Sequence, residues 1–223
     1  DSNPSRKVLA IVLVPAWSAG PRQDLRQHML MHTYARLDDP IITHKLNNYD
    51  SDPINSRIHQ LGFANDDAAA VTVIYVPSYL DGFDGILDLT YYQLLPGLDL
   101  TVFASYYEPW GYTPLESIAF GVPTVTTTLA GFGRWVKEIE PAPNFENCGV
   151  EVVERTDSNY WQAVDAVCDS VRSMLAADAT HTEAARKAAA ATAAKAQWSD
   201  FMKYYDKAYC DALAARDSRV KNK

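Results

Sequence analysis

Cysteine is scarce in this chain of 223 residues: Cys148, Cys168 and Cys210 are widely spaced and odd in number. A disulfide framework calls for an even, patterned set and a thiolate metal site for close pairs. Neither pattern is present, so a reducing, cytoplasmic setting is expected and no metal site is read. Basic clusters are also missing. Lysine and arginine total 20 against 28 acidic residues, a formal net charge of -8. Nucleic-acid backbones need grouped cations, and the nearest approach, Arg134 with Lys137, is too little for such a face. No apolar run is long enough to span a bilayer and no signal peptide is visible, so a soluble chain away from membranes is expected. The chain also opens Asp1-Ser2-Asn3-Pro4 with no methionine, as a fragment or processed product would.

What is present is an apolar fraction of 48%, ample for a core. At this length one α/β domain fits comfortably and two small ones could be built. The run VLAIVLV at 8–14 reads as a buried parallel strand ended by Pro15. PAWSAGP at 15–21 reads as a loop, 24–37 as a helix broken by Pro40, and IITH at 41–44 as a short strand or a loop end. A helix is expected over 53–61, stopped by Gly62. AVTVIYV at 70–76 is a second strand, and the Gly- and Asp-rich 80–88 a loop. A short helix follows at 90–95. Strands at 100–103, 122–126 and 150–153 alternate with helical stretches at 114–120 and 135–139. From 160 to 176 apolar residues recur at three and four, a helical period. From Thr182 an alanine-rich helix carries Trp198, Phe201, Met202, Tyr205 and Tyr209 as a stripe, a core or docking face. Strands alternating with helices specify an α/β fold with a doubly wound, mostly parallel, Rossmann-like sheet and a C-terminal helical extension. We divide it as 1–158 and 159–223.

One segment, Ser105 to Glu116, concentrates the chemistry. Thr113 fits a helix cap, Pro114 the first helical position and Glu116 the capping-box position three after the cap. A helix start placed after a strand offers free N–H groups to an anion. Glu108, on the loop ahead of it, stands where a sugar-gripping or catalytic acid belongs. The ordinary alternative is a capping partner at Glu116 and a surface acid at Glu108. The turn Ala130-Gly131-Phe132-Gly133 follows a strand and would allow close approach of a ligand to backbone, or would be only a turn. His44 could donate to a phosphate or sit half-buried against backbone. Tyr91 and Tyr92 offer a face for stacking a base or for packing. His28 and His32, four apart on a helix, lack an acid at metal spacing and read as a solvated pair.

The run SYYEPWGYTPLES, followed at tight spacing by GVPTVTTTLAGFG, closely resembles the glycogen synthases of the fungal and animal type and their bacterial relatives, retaining glycosyltransferases of family 3. The likeness extends upstream through VLVPA at 12–16 and PIITH at 40–44. It implies a GT-B fold, two Rossmann-like domains across a cleft, of which this chain would be most of the second. It implies transfer of glucose from UDP-glucose to the non-reducing end of an α-1,4-glucan, with UDP-glucose as donor substrate and no cofactor. By the resemblance Glu108 lies against the donor glucose and Glu116 accepts from the ribose hydroxyls. The backbone of Trp110, Gly111, Tyr112 and Thr113, with the Thr113 hydroxyl, holds the diphosphate, and Tyr91 stacks on uracil. Gly131 and Gly133 give structural support. An Arg and a Lys that the family carries earlier are missing, since Arg6 and Lys7 merely precede a strand. The first domain, which completes the acceptor cleft, is absent too. No arginine-rich cluster for glucose-6-phosphate is visible, so regulation by that sugar is not expected. The isolated chain is expected to be inactive; a nucleotide-sugar-binding module without catalysis, another retaining GT-B enzyme, or a remnant packing on a partner are the alternatives. Whether it forms a homo-oligomer is open.

Overall fold

The computed structural model describes residues 7–33, 37–66 and 68–221, so the reading of Arg6 and part of the helix expected at 24–37 lie outside it. The chain forms two compact units, Asp1–Leu94 and Leu95–Lys223. No helix among the described residues is long and apolar enough to cross a membrane.

In the first unit β1 (Val8–Leu13) is followed by β2 (Ser18–Pro21) and α1 (Gln23–Met31). Next come β3 (His44–Leu46), α2 (Pro53–Gln60), β4 (Val71–Val76) and α3 (Tyr91–Leu94). The branched runs of β1 and β4 pair in parallel, from Val8 opposite Val71 to Leu13 opposite Val76. The expected burial of β1 does not hold: Leu9 is 57% exposed. Its sheet has only two strands among the described residues. Ala10 and Val12 point the other way, onto a core of Ile41, Ile42, Leu46, Ile58, Val73 and Tyr75.

Two further expectations are corrected here. The stretch read as a loop at 15–21 ends in β2, which pairs antiparallel with β3. The first helix stops at Met31, short of residue 37, because His32 turns into the left-handed region at φ 49. His28 and His32 therefore do not share a helix face. The second helix forms where expected, its start fixed by the Asp52 carboxylate, which accepts from the Ile54 and Asn55 amides at 3.1 and 2.8 Å. Such a cap satisfies donors that the helix itself leaves unpaired.

In the second unit β5 (Thr101–Val102), β6 (Thr124–Thr127) and β7 (Val150–Val153) form one parallel sheet in that order. Helices α4 (Tyr112–Ala119), α5 (Gly131–Ile139) and α6 (Phe145–Cys148) lie between or after the strands. The long helices α7 (Tyr160–Ala176), α8 (Ala179–Ala193) and α9 (Trp198–Lys221) complete the unit. Parallel sheets need cover on both faces, and strand alternation supplies two apolar surfaces. Val150 and Val152 join Ile118, Phe132, Val136, Cys148 and Ala189 on one side. Val125 and Val153 join Phe145, Ala163, Met174 and Ala185 on the other. Each fully buried side chain of this size contributes roughly 1.5–3 kcal/mol. Thr101 and Thr124 are buried and paired, whereas the Thr126 hydroxyl is buried without a hydrogen-bond partner. Thr101 bonds Ser117 at 2.6 Å and Thr124 at 2.9 Å. Beyond Phe201, the described side chains of α9 are exposed, Tyr205 and Tyr209 among them.

Candidate functional site

The carboxyl ends of β5, β6 and β7 open at one edge of the second sheet, and the loop carrying Glu108 leaves from β5. That loop is laced to the chain leaving β6. Glu108 N–H donates to Leu129 O at 3.2 Å, and Gly131 N–H donates to Glu108 O at 3.1 Å. Phe132 N–H donates to Trp110 O at 2.6 Å. The Trp110 ring is wedged edge-on against Phe132 and Phe201, centroids 6.2 and 5.2 Å away, and lies 6.0 Å from Trp135. Edge-to-face contacts of this kind add to the burial of large rings. Trp110 is thus an anchor by its side chain, and its carbonyl, an acceptor that a phosphate cannot use, is taken by the Phe132 amide.

Helix α4 begins differently from the sequence expectation. Gly111, not Thr113, is the residue ahead of the helix, with φ +104, a conformation that side-chain-bearing residues rarely adopt. A Cβ there would lie 3.4 Å from the Glu108 Cγ and 3.3 Å from Pro114 Cγ, so the Glu108 side chain runs beside Gly111. Thr113 falls at the second helical position and Pro114 at the third; the Thr113-to-Glu116 capping box is not formed. No side chain caps this helix. Since Pro114 has no N–H, the amides of Tyr112 and Thr113 are the ones this end presents to an outside acceptor. Tyr112 is 60% exposed, and Glu116 lies one turn further along the same face. Glu108 and Glu116 are both half-buried.

The structure therefore gathers Glu108, Trp110, Gly111, Tyr112, Thr113 and Glu116 around one helix start in the second unit. Tyr91 belongs to the first unit, at the start of α3, with its ring 5.6 Å from that of Tyr92. His44 is in the first unit too and is a core residue, 2% exposed. Its Nδ1 pairs with Thr43 Oγ1 at 2.8 Å and its Nε2 with Asp84 O at 3.0 Å, which leaves no ring nitrogen for a ligand. Gly131 and Gly133 open α5 rather than forming a separate turn. The space a side chain would take at Gly131 is filled by the Pro109 carbonyl, so the approach is to the protein's own backbone. Among the described residues no three His, Cys, Asp or Glu side chains gather as metal ligands.

The second unit also holds a feature that the sequence did not reveal. A cavity of about 590 Å³ at the ends of β6 and β7 is lined by Thr128, Leu129, Arg134, Lys137, Glu154 and Arg155, among others. Lys137 meets Glu154 at 3.4 Å, and Arg134 Nε donates to Thr128 O at 3.0 Å. Tyr106 donates its hydroxyl to Asp157, and that bond to the carboxylate raises the phenol above its ordinary pKa.

A family model described as glycogen synthase matches residues 22–219. The chain belongs to the glycogen synthase family. Similar relatives include glycogen [starch] synthase isoform 1 of Saccharomyces cerevisiae, 35% identical over 130 residues, or 58% of this chain and 18% of that protein. The liver glycogen [starch] synthase of Mus musculus is 38% identical over 136 residues, 61% of this chain and 18% of that protein. The matched segments thus cover under a fifth of the length of these glycogen synthases. The solved structure of Anabaena Alr3699/HepE in complex with UDP aligns over 95% of this chain and 50% of that one, at 14% identity and TM-score 0.43, too remote to carry a conclusion.

Proposed function

We propose that this chain is the donor-binding part of a retaining glucosyltransferase that moves glucose from UDP-glucose to the non-reducing end of an α-1,4-glucan. The observation that carries the proposal is the uncapped start of α4, with the Glu108 side chain running beside Gly111 at the carboxyl edge of a parallel sheet. Ligands of open α/β sheets bind at that edge, and a helix N-terminus favours phosphate. Family membership supports reading the anion as a nucleotide diphosphate.

As the glycosidic bond breaks, charge accumulates on the leaving diphosphate. The Tyr112 and Thr113 amides, fixed before reaction, stabilise that charge without reorganisation. The Thr113 hydroxyl adds a donor. Glu108 stands beside the donor glucose and supports the transfer. Glu116 accepts from the ribose hydroxyls. In the intact protein an N-terminal domain completes a GT-B cleft and brings the glucan acceptor. In this division residues 1–158 bind the nucleotide sugar, and 159–223 pack on them or cross to the other domain. Without that domain the chain by itself is a binding module with no turnover.

The test is transfer of labelled glucose to glycogen by the intact protein. Glu108→Gln should lower kcat by at least about 100-fold, in line with removal of one group that acts on the transition state. Near-normal turnover by a folded Glu108→Gln protein would remove the acid from the mechanism.

A further inference from the structure

We infer that Arg155 is a positioning residue for the acid loop, locking residues 104–108 so that Glu108 faces the donor sugar; this rests on the role given to Glu108 above. Arg155 lies two residues past the end of β7, and its own backbone is pinned. Its N–H donates to Thr128 Oγ1 at 3.0 Å, and that hydroxyl donates to Arg155 O at 3.3 Å. From this fixed base the guanidinium reaches the loop leaving β5. Nη1 donates to Ala104 O at 2.6 Å, and Cζ sits 5.3 Å from the centre of the Tyr106 ring. Tyr106 donates in turn to Asp157, two residues beyond Arg155. Thr127 Oγ1 donates to Ser105 O at 2.7 Å between the two contacts. The loop is therefore held at 104, 105 and 106, and again at the Glu108 amide. Between these holds lies only Tyr107, 77% exposed.

The chemistry selects arginine. Only a planar guanidinium can donate in its plane to a carbonyl while its face lies on an aromatic ring. Lysine keeps the charge and loses one of the two contacts. Arg155, Tyr106 and Asp157 belong to none of the buried apolar clusters. Removing the guanidinium exposes a carbonyl that water can satisfy, so the sheet and its helices stay folded while the loop gains freedom. Displacing a reacting group by about 1 Å lowers a rate by roughly 100-fold. The diphosphate amides of Tyr112 and Thr113 are on α4, outside the contacts that Arg155 makes, so donor binding is spared.

The experiment uses the intact protein. Arg155→Ala should lower kcat by roughly 100-fold with KM for UDP-glucose unchanged, and Arg155→Lys should not restore it. Millimolar guanidinium ion should recover part of the loss in Arg155→Ala. Tyr106→Phe, which keeps the ring under the cation, should lower kcat by less. In the same protein, hydrogen exchange at the amides of 104–108 should speed up in Arg155→Ala while the strands β6 and β7 stay protected. Unchanged kcat, or unchanged exchange in the loop, would overturn the inference; so would equal loss of kcat and global protection, which marks a purely structural residue. If the parent protein transfers no glucose, the functional proposal fails by itself, and the exchange measurement still decides whether Arg155 holds the loop.

Discussion

Alanine in place of Gly131 tests how tightly the acid loop is laid on α5. An ideal Cβ at Gly131 falls inside contact distance of the Pro109 carbonyl oxygen and lies 3.1 Å from Trp110 Cα and 3.2 Å from Pro109 C. All three are backbone atoms, so no rotamer change relieves the overlap. The loop must retreat by about 1 Å to reach normal separation. Overpacking of this kind costs about 1–3 kcal/mol, while the better helix propensity of alanine returns at most about 1 kcal/mol. A net loss of about 1–2 kcal/mol follows, carried by the segment 108–111. Gly97 is the control: nothing lies within 4 Å of its would-be Cβ, and its φ is outside the left-handed region. Gly97→Ala should be neutral or stabilise by up to about 1 kcal/mol through the unfolded chain. Urea unfolding followed by tryptophan emission reads the second unit, which holds four of the five tryptophans. Gly131→Ala as stable as the parent, or Gly97→Ala equally damaged, would refute the close approach and the steric reasoning built on it.

Two further outcomes follow from particular groups. Thr113 sits inside the first turn of α4 and makes no cap, so Thr113→Ala should change stability by less than about 0.5 kcal/mol; a loss near the 1 kcal/mol of a true N-cap would restore Thr113 to that place. Burial on β7 raises the Glu151 carboxyl above its ordinary pKa, against a smaller opposing bond from the Phe145 backbone. A carboxyl raised in the fold costs nothing while both states hold the proton, and the penalty to the folded state builds as the pH rises from the unfolded value through the folded one. Glu151→Gln should therefore raise the melting temperature at pH 7, the gain fading below roughly pH 4 where both states hold the proton. A gain that persists unchanged in acid would contradict the burial cause.

Much of the architecture was legible because it is periodic. Residues 160–176 repeat at three and four and fold as α7 over that range. The runs around 8–14, 70–76 and 150–153 are branched and apolar, and all three become parallel strands. The misreadings share a cause: they turn on partners distant in sequence. Ser18–Pro21 has the composition of a turn and becomes a strand only because His44–Leu46 lies beside it. Thr113-Pro114-Leu115-Glu116 has the letters of a capped helix start. The chain begins the helix earlier because Gly111 can take φ +104 where Glu108 and Phe132 press close. The glycines of 130–133 have the composition of a turn, yet tight backbone packing requires them within a helix. Arg155 carried no signal at all, since its two contacts with the acid loop, at Ala104 and at Tyr106, join residues about 50 apart. For the site, the segment was visible as letters, while its anchor at Trp110 and its lacing to β6 were not.

The most direct measurement is the structure of the intact protein with UDP bound. A phosphate oxygen about 2.7–3.2 Å from the amide nitrogen of Tyr112 or Thr113, with Glu108 opening toward the sugar side of the diphosphate, is the expected result. A diphosphate seated away from the start of α4, with those two amides facing only water, would contradict it.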